Sequence, residues 1–77
     1  MEVLYFDNHI IVVSKPAGIA TEAESGDSLE EEVKRWAKKE YNKPGEVFLR
    51  PAHRLDKCVS GIIVFAKTSK ALTRLHE

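Results

Sequence analysis

Residues 1–77 suffice for one small domain and are too few for a second. Twelve basic and twelve acidic side chains cancel overall, yet residues 1–32 hold eight acids against Lys15 alone, and residues 33–77 hold eleven bases against four acids. The single cysteine, Cys58, excludes a disulfide framework and a cysteine-built zinc site, and it suits a reducing compartment.

The three histidines, His9, His53 and His76, are too dispersed for metal-ligand spacing, so no metal is expected. The amino terminus lacks the basic and apolar regions of a secretory signal, and the longest apolar run, Ile10 to Val13, is far shorter than a membrane span. These features predict a cytoplasmic, soluble chain with no membrane partner. The basic second part is a mild pointer to a polyanion, although for charge alone solvated charged faces are the better reading.

Val3-Leu4-Tyr5-Phe6 predicts a short strand, and Asp7-Asn8 behind it tolerates the backbone of a tight turn. His9 to Ser14 is rich in β-branched residues and predicts a second strand, antiparallel to the first through a hairpin. Lys15-Pro16-Ala17-Gly18 ends it, because proline has no N–H for the ladder and glycine permits a sharp bend. Residues 19–27 are small and acidic and predict a mobile loop.

Ser28 with Glu31 then fits a capping box, Asp27 with Glu30 being the other frame. Leu29, Val33, Trp36, Ala37 and Tyr41 form one apolar stripe at helical spacing. Glu30, Glu31 and Glu32 at its start and Lys38 and Lys39 near its end complement the helix dipole. Asn42-Lys43-Pro44-Gly45 terminates that helix. Val47-Phe48-Leu49 predicts an extended piece running into Pro51, and Gly61 to Lys67 a further strand. Thr68 or Ser69 can cap a final helix bearing Ala71, Leu72 and Leu75. This order predicts an α+β fold, a mixed and mainly antiparallel sheet with packed helices.

Between the last two strands lies His53-Arg54-Leu55-Asp56-Lys57-Cys58-Val59-Ser60-Gly61, an acid beside two cations in a short loop feeding an apolar strand. Arg54 and Lys57 favour the anionic form of Asp56 and could hold a polyanion near it. An anionic aspartate serves as nucleophile or general base when aimed at a substrate. A loop aspartate more commonly serves as a structural partner, here of Arg54, or as a cap for turn amides. His53 is expected to be a hydrogen-bonded structural residue, Leu55 a core residue and Cys58 a small buried side chain.

The run from His53 to Thr68 resembles the signature of the RluA-type pseudouridine synthases: His-Arg-Leu-Asp, a few residues, Ser/Thr-Gly, an apolar strand, then Ala-Lys. Val3 to Gly18, with Ile-Ile-Val-Val-Ser-Lys-Pro-Ala-Gly, is similar to an upstream stretch of that family. Two motifs in the right order are more specific than either alone. Val59 and Cys58 depart from the residues common at those positions and leave the aspartate untouched.

The resemblance implies that Asp56 is the catalytic aspartate and that uridine in ribosomal or transfer RNA is converted to pseudouridine without a cofactor. Arg54 and Lys57 would contact RNA, Arg54 gripping phosphate or filling the gap left by a flipped base. Lys15-Pro16-Ala17-Gly18 would be a turn packing under the active-site loop. The family's downstream tyrosine and Thr-Gly-Arg motif do not occur before Glu77. The chain is therefore expected to be the amino-terminal part of a synthase, an incomplete portion of the catalytic fold, inactive alone and prone to self-association. The other reading is a non-catalytic RNA-binding module.

Overall fold

The first hairpin is set by Asp7, whose Oδ1 accepts from the backbone N–H groups of His9 at 2.7 Å and Ile10 at 2.9 Å. Its Oδ2 accepts from the Tyr5 hydroxyl at 2.8 Å, so one carboxylate closes the turn and ties it to the strand before it. In the computed structural model, which describes residues 1–21, 28–41 and 48–77, the hairpin joins β1 (Glu2–Phe6) to β2 (Ile10–Lys15). His9 belongs to the turn because its N–H is taken by Asp7, and β2 starts one residue later than the β-branched run suggests.

Helix α1 (Leu29–Tyr41) follows, then the two-residue β3 (Arg50–Pro51), β4 (Gly61–Ala66) and helix α2 (Ser69–Leu75). The four strands form one sheet in the order β1-β2-β4-β3. Every described pairing is antiparallel. The α+β class is as predicted, and the described sheet has no parallel pair. β3 lies beyond the extended piece predicted at Val47-Phe48-Leu49, of which Val47 lies outside the described residues. Pro51 is tolerated because β3 pairs with β4 alone, through Arg50 opposite Ala66 and Pro51 opposite Phe65.

Alternation along β2 and β4 puts Ile11, Val13, Ile63 and Phe65 on one buried face, where they meet Leu29, Val33 and Ala37 of α1 together with Leu49. Val3 and Trp36 are partly buried against this cluster. Val3 pairs with Val13 and Phe6 with Ile11, two core-facing pairs whose spacing of three residues would break a regular alternation. A register shift between Val3 and Tyr5 absorbs the extra residue. Phe6 then meets the Trp36 ring edge-on, with centroids 5.1 Å apart.

The start of α1 is fully partnered. Leu29 N–H donates to Ala20 O at 2.7 Å, Glu30 N–H to Thr21 O at 2.9 Å and Glu31 N–H to Ser28 Oγ at 3.2 Å. These bonds hold Ala20 and Thr21 of the predicted mobile loop against the helix, and Thr21 is buried. Residues 22–27, the Asn42–Gly45 terminator and the Tyr41 side chain lie outside the described residues. Of the two candidate caps for α2, Thr68 is the one used: its Oγ1 accepts from Ala71 N–H at 3.0 Å. No described helix is long and apolar enough to cross a membrane.

The bonds in the first hairpin lower the Asp7 pKa from 3.8 to about 2, the amides of His9 and Ile10 acting first and the Tyr5 hydroxyl after them. A carboxyl whose folded value is depressed adds stability above the unfolded value, and that stability is lost as pH falls through the folded one. Thermal melts of the wild-type chain should therefore lose midpoint temperature between about pH 4 and pH 2. Asp7→Asn should be less stable near neutrality and show a flatter profile across that window; parallel profiles would exclude the carboxylate as the source.

Candidate active site

Asp56 opens a four-residue turn closed by Val59 N–H donating to Asp56 O at 3.0 Å. Aspartate is favoured at that first position, and the two central residues, Lys57 and Cys58, point outward. The predicted burial of Cys58 is thus overturned: its thiol is exposed, because it sits at the tip of a turn and not in the strand beside it. Asp56 is exposed as well. Leu55, just before it, turns inward and packs on the core cluster. That inward path explains Gly61, where a Cβ would lie 2.7 Å from Leu55 Cδ1.

The turn takes its rigidity from the chain segment that ends β2. Lys15, only 1% exposed, is buried at the end of the core-facing side of that strand. Its ammonium donates to Pro16 O at 3.2 Å, to Lys57 O at 3.1 Å and to Val59 O. Gly18 N–H donates to Lys57 O at 2.7 Å, from a backbone with φ of 95° that glycine adopts without strain. Thr21 completes the grip, its Oγ1 donating to Leu55 O at 3.0 Å and accepting from Leu55 N–H at 3.3 Å. Main-chain groups immediately before and after Asp56 are thereby fixed to residues 15–21, while its side chain is left outward.

Above this platform is an open cleft of about 220 Å³ lined by Ala20, Thr21, Arg54, Leu55, Asp56 and Lys57. The three site residues expected from the sequence, Asp56, Arg54 and Lys57, therefore line one cleft. Lys-Pro-Ala-Gly lies under the loop as expected, and the Lys15 ammonium is what ties it there. Thr21 gave no signal in the sequence, since its partner Leu55 is 34 residues away. His53 is structural: its Nε2 accepts from Val64 N–H at 3.3 Å, in the place a strand carbonyl would take beside β4. Chemically, the arrangement offers an outward carboxylate on a held backbone, with two cationic side chains on the rim. It suits attack on, or proton removal from, a ligand that is itself anionic.

A family model described as RNA pseudouridylate synthase matches residues 9–77. The Escherichia coli K12 ribosomal large subunit pseudouridine synthase C is 40% identical over 77 residues, 97% of this chain and 22% of that protein. The Haemophilus influenzae dual-specificity RNA pseudouridine synthase RluA is 38% identical over 74 residues, 96% of this chain and 31% of that protein. The chain thus spans between about a fifth and a third of the length of these relatives. In fold it is similar to the human protein RNA pseudouridylate synthase domain containing 4, with a TM-score of 0.78 at 24% identity, covering 97% of this chain and 28% of that one. The match across almost the whole sequence, and the fold it shares, place this chain in the RNA pseudouridylate synthase family.

Proposed function

We propose that this chain carries the catalytic aspartate of an RNA pseudouridine synthase, Asp56, and that the activity belongs to a protein with the length of its relatives. The observation that carries the reading is the outward carboxylate on a backbone clamped by Lys15, Gly18 and Thr21. Isomerisation of uridine breaks the bond from sugar to nitrogen, turns the freed uracil and rejoins it through carbon. A fixed carboxylate can attack the sugar or the ring, or take the proton from the sugar's 2′ position. Each route needs the same thing from this chain: an anion that holds its place while the base moves.

Arg54 and Lys57 on the cleft rim are the RNA contacts in this reading, neutralising phosphates beside an extruded nucleotide. The substrate class is structured RNA of the ribosome or transfer RNA, encountered in the cytoplasm. No residue of the reading calls on a metal or cofactor. Alone, the 77-residue chain lacks most of the relatives' length, and turnover by it is not expected. Exposed Leu4, Phe6 and Ile62 make self-association of the isolated chain part of the same reading.

The test is a chimera in which this chain replaces the matching segment of the Escherichia coli relative. The chimera should form pseudouridine in ribosomal RNA, and Asp56→Asn in it should lower turnover by at least a thousandfold with RNA binding retained. Binding by the chimera without any turnover would favour a non-catalytic module. Unchanged turnover in Asp56→Asn would remove Asp56 from the chemistry.

The clamp has its own consequence. Lys15→Met keeps the aliphatic stem and removes the donors, leaving the part-buried carbonyls of Lys57 and Val59 without their ammonium partner, Lys57 O keeping only the Gly18 N–H. Urea unfolding of this variant should show a loss of about 2 kcal/mol. A loss below about 1 kcal/mol would mean that water replaces the ammonium and the clamp is dispensable.

A further inference from the structure

A second cleft, of about 140 Å³, lies at the opposite end of the sheet from Asp56. It is lined by His9 from the first hairpin and by Thr68, Lys70, Ala71 and Arg74 at α2. Lys70 and Arg74 are four residues apart, so they stand on one face of the helix and converge on the same space. Both are exposed, and among the described residues neither is in an ion pair. No carboxylate lines the cleft. Asp7, two residues before His9, is already occupied by the Tyr5 hydroxyl and the amides of His9 and Ile10, and Glu77, three residues after Arg74, does not line the cleft.

We propose that this cleft binds a phosphate group of RNA, as a contact separate from the one at Asp56. The inference rests on the RNA-modifying reading above. β4 has six residues, and at about 3.4 Å each they separate the two clefts by roughly 20 Å. Both are open at the surface, so one folded RNA can engage a base at Asp56 and a backbone phosphate at Lys70 and Arg74 together. The distal contact carries no base information; it fixes the register in which RNA lies on the sheet.

The test compares RNA affinity and its salt dependence for the 77-residue chain and three double variants, using a single-stranded oligoribonucleotide as probe. Lys70→Glu with Arg74→Glu should weaken binding at least tenfold and reduce the slope of log affinity against log salt by about two. Lys38→Glu with Lys39→Glu makes the same charge change on exposed α1 and should cost less than threefold. Equal losses in the two pairs would reduce the cleft to general charge and overturn the proposal, as would no loss in the first. Lys70→Gln with Arg74→Gln, checked by thermal melting, should reproduce the weakening with the fold intact; retained affinity there also overturns it.

Arg54→Glu separates this inference from the proposed function. If Arg54→Glu weakens RNA binding and the Lys70 and Arg74 pair does not, the distal cleft is rejected and the Asp56 reading stands. Amide shifts with inorganic phosphate supply the last arm. Perturbation at His9, Thr68 and Arg74 without any RNA binding would keep a phosphate cleft but reject RNA as its source. Absence of both responses rejects the cleft outright.

Discussion

A lysine ammonium removed from water is tolerated only where other dipoles replace the water, and here three backbone carbonyls do so. Two of those carbonyls belong to the turn that carries Asp56. The end of β2 and that turn are thereby one mechanical unit, although 42 residues separate Lys15 from Lys57. Asp56 itself sits outside the strand ladder and owns no rigidity from it. It borrows rigidity through the main chain on both sides, from Lys15, Gly18 and Thr21. A carboxylate held in this way stays exposed and reactive without being left to wander.

The same segment has a second duty. Ala20 and Thr21 receive the first N–H groups of α1 with their carbonyls, while the Thr21 side chain grips Leu55. The helix that covers the sheet and the loop that presents Asp56 therefore share a support of two residues. Packing and site are coupled there: a shift of α1 on the core is transmitted directly to the backbone beside the carboxylate.

Local chemistry made most of the fold legible. The β-branched run of β2, the Ser28 cap and the Leu29, Val33, Ala37 stripe each specify their structure over a few residues, and each is found where its pattern lies. The site residues were legible through order and spacing, since Asp56, Arg54 and Lys57 are neighbours in the chain and line one cleft. What escaped was non-local. A lysine ending a strand looks like a solvent-facing charge, and nothing in its neighbours announces acceptors more than forty residues on. Cys58 misled for the opposite reason: small and sulfur-bearing, it has the composition of an interior residue, but turn geometry overrides composition.

His53 has a further consequence for how the sheet ends. β3 covers only two residues of β4, and past Pro51 the β4 backbone would present its amides to anything that passes. The imidazole takes the Val64 amide that a neighbouring chain would otherwise claim. Template-driven growth on that margin, the route by which open sheets recruit foreign strands into aggregates, is interrupted by this ring together with the Ala52 amide, which takes the Val64 carbonyl at 2.9 Å. Among the described strands, the margins left for an added strand are the outer sides of β1 and β3.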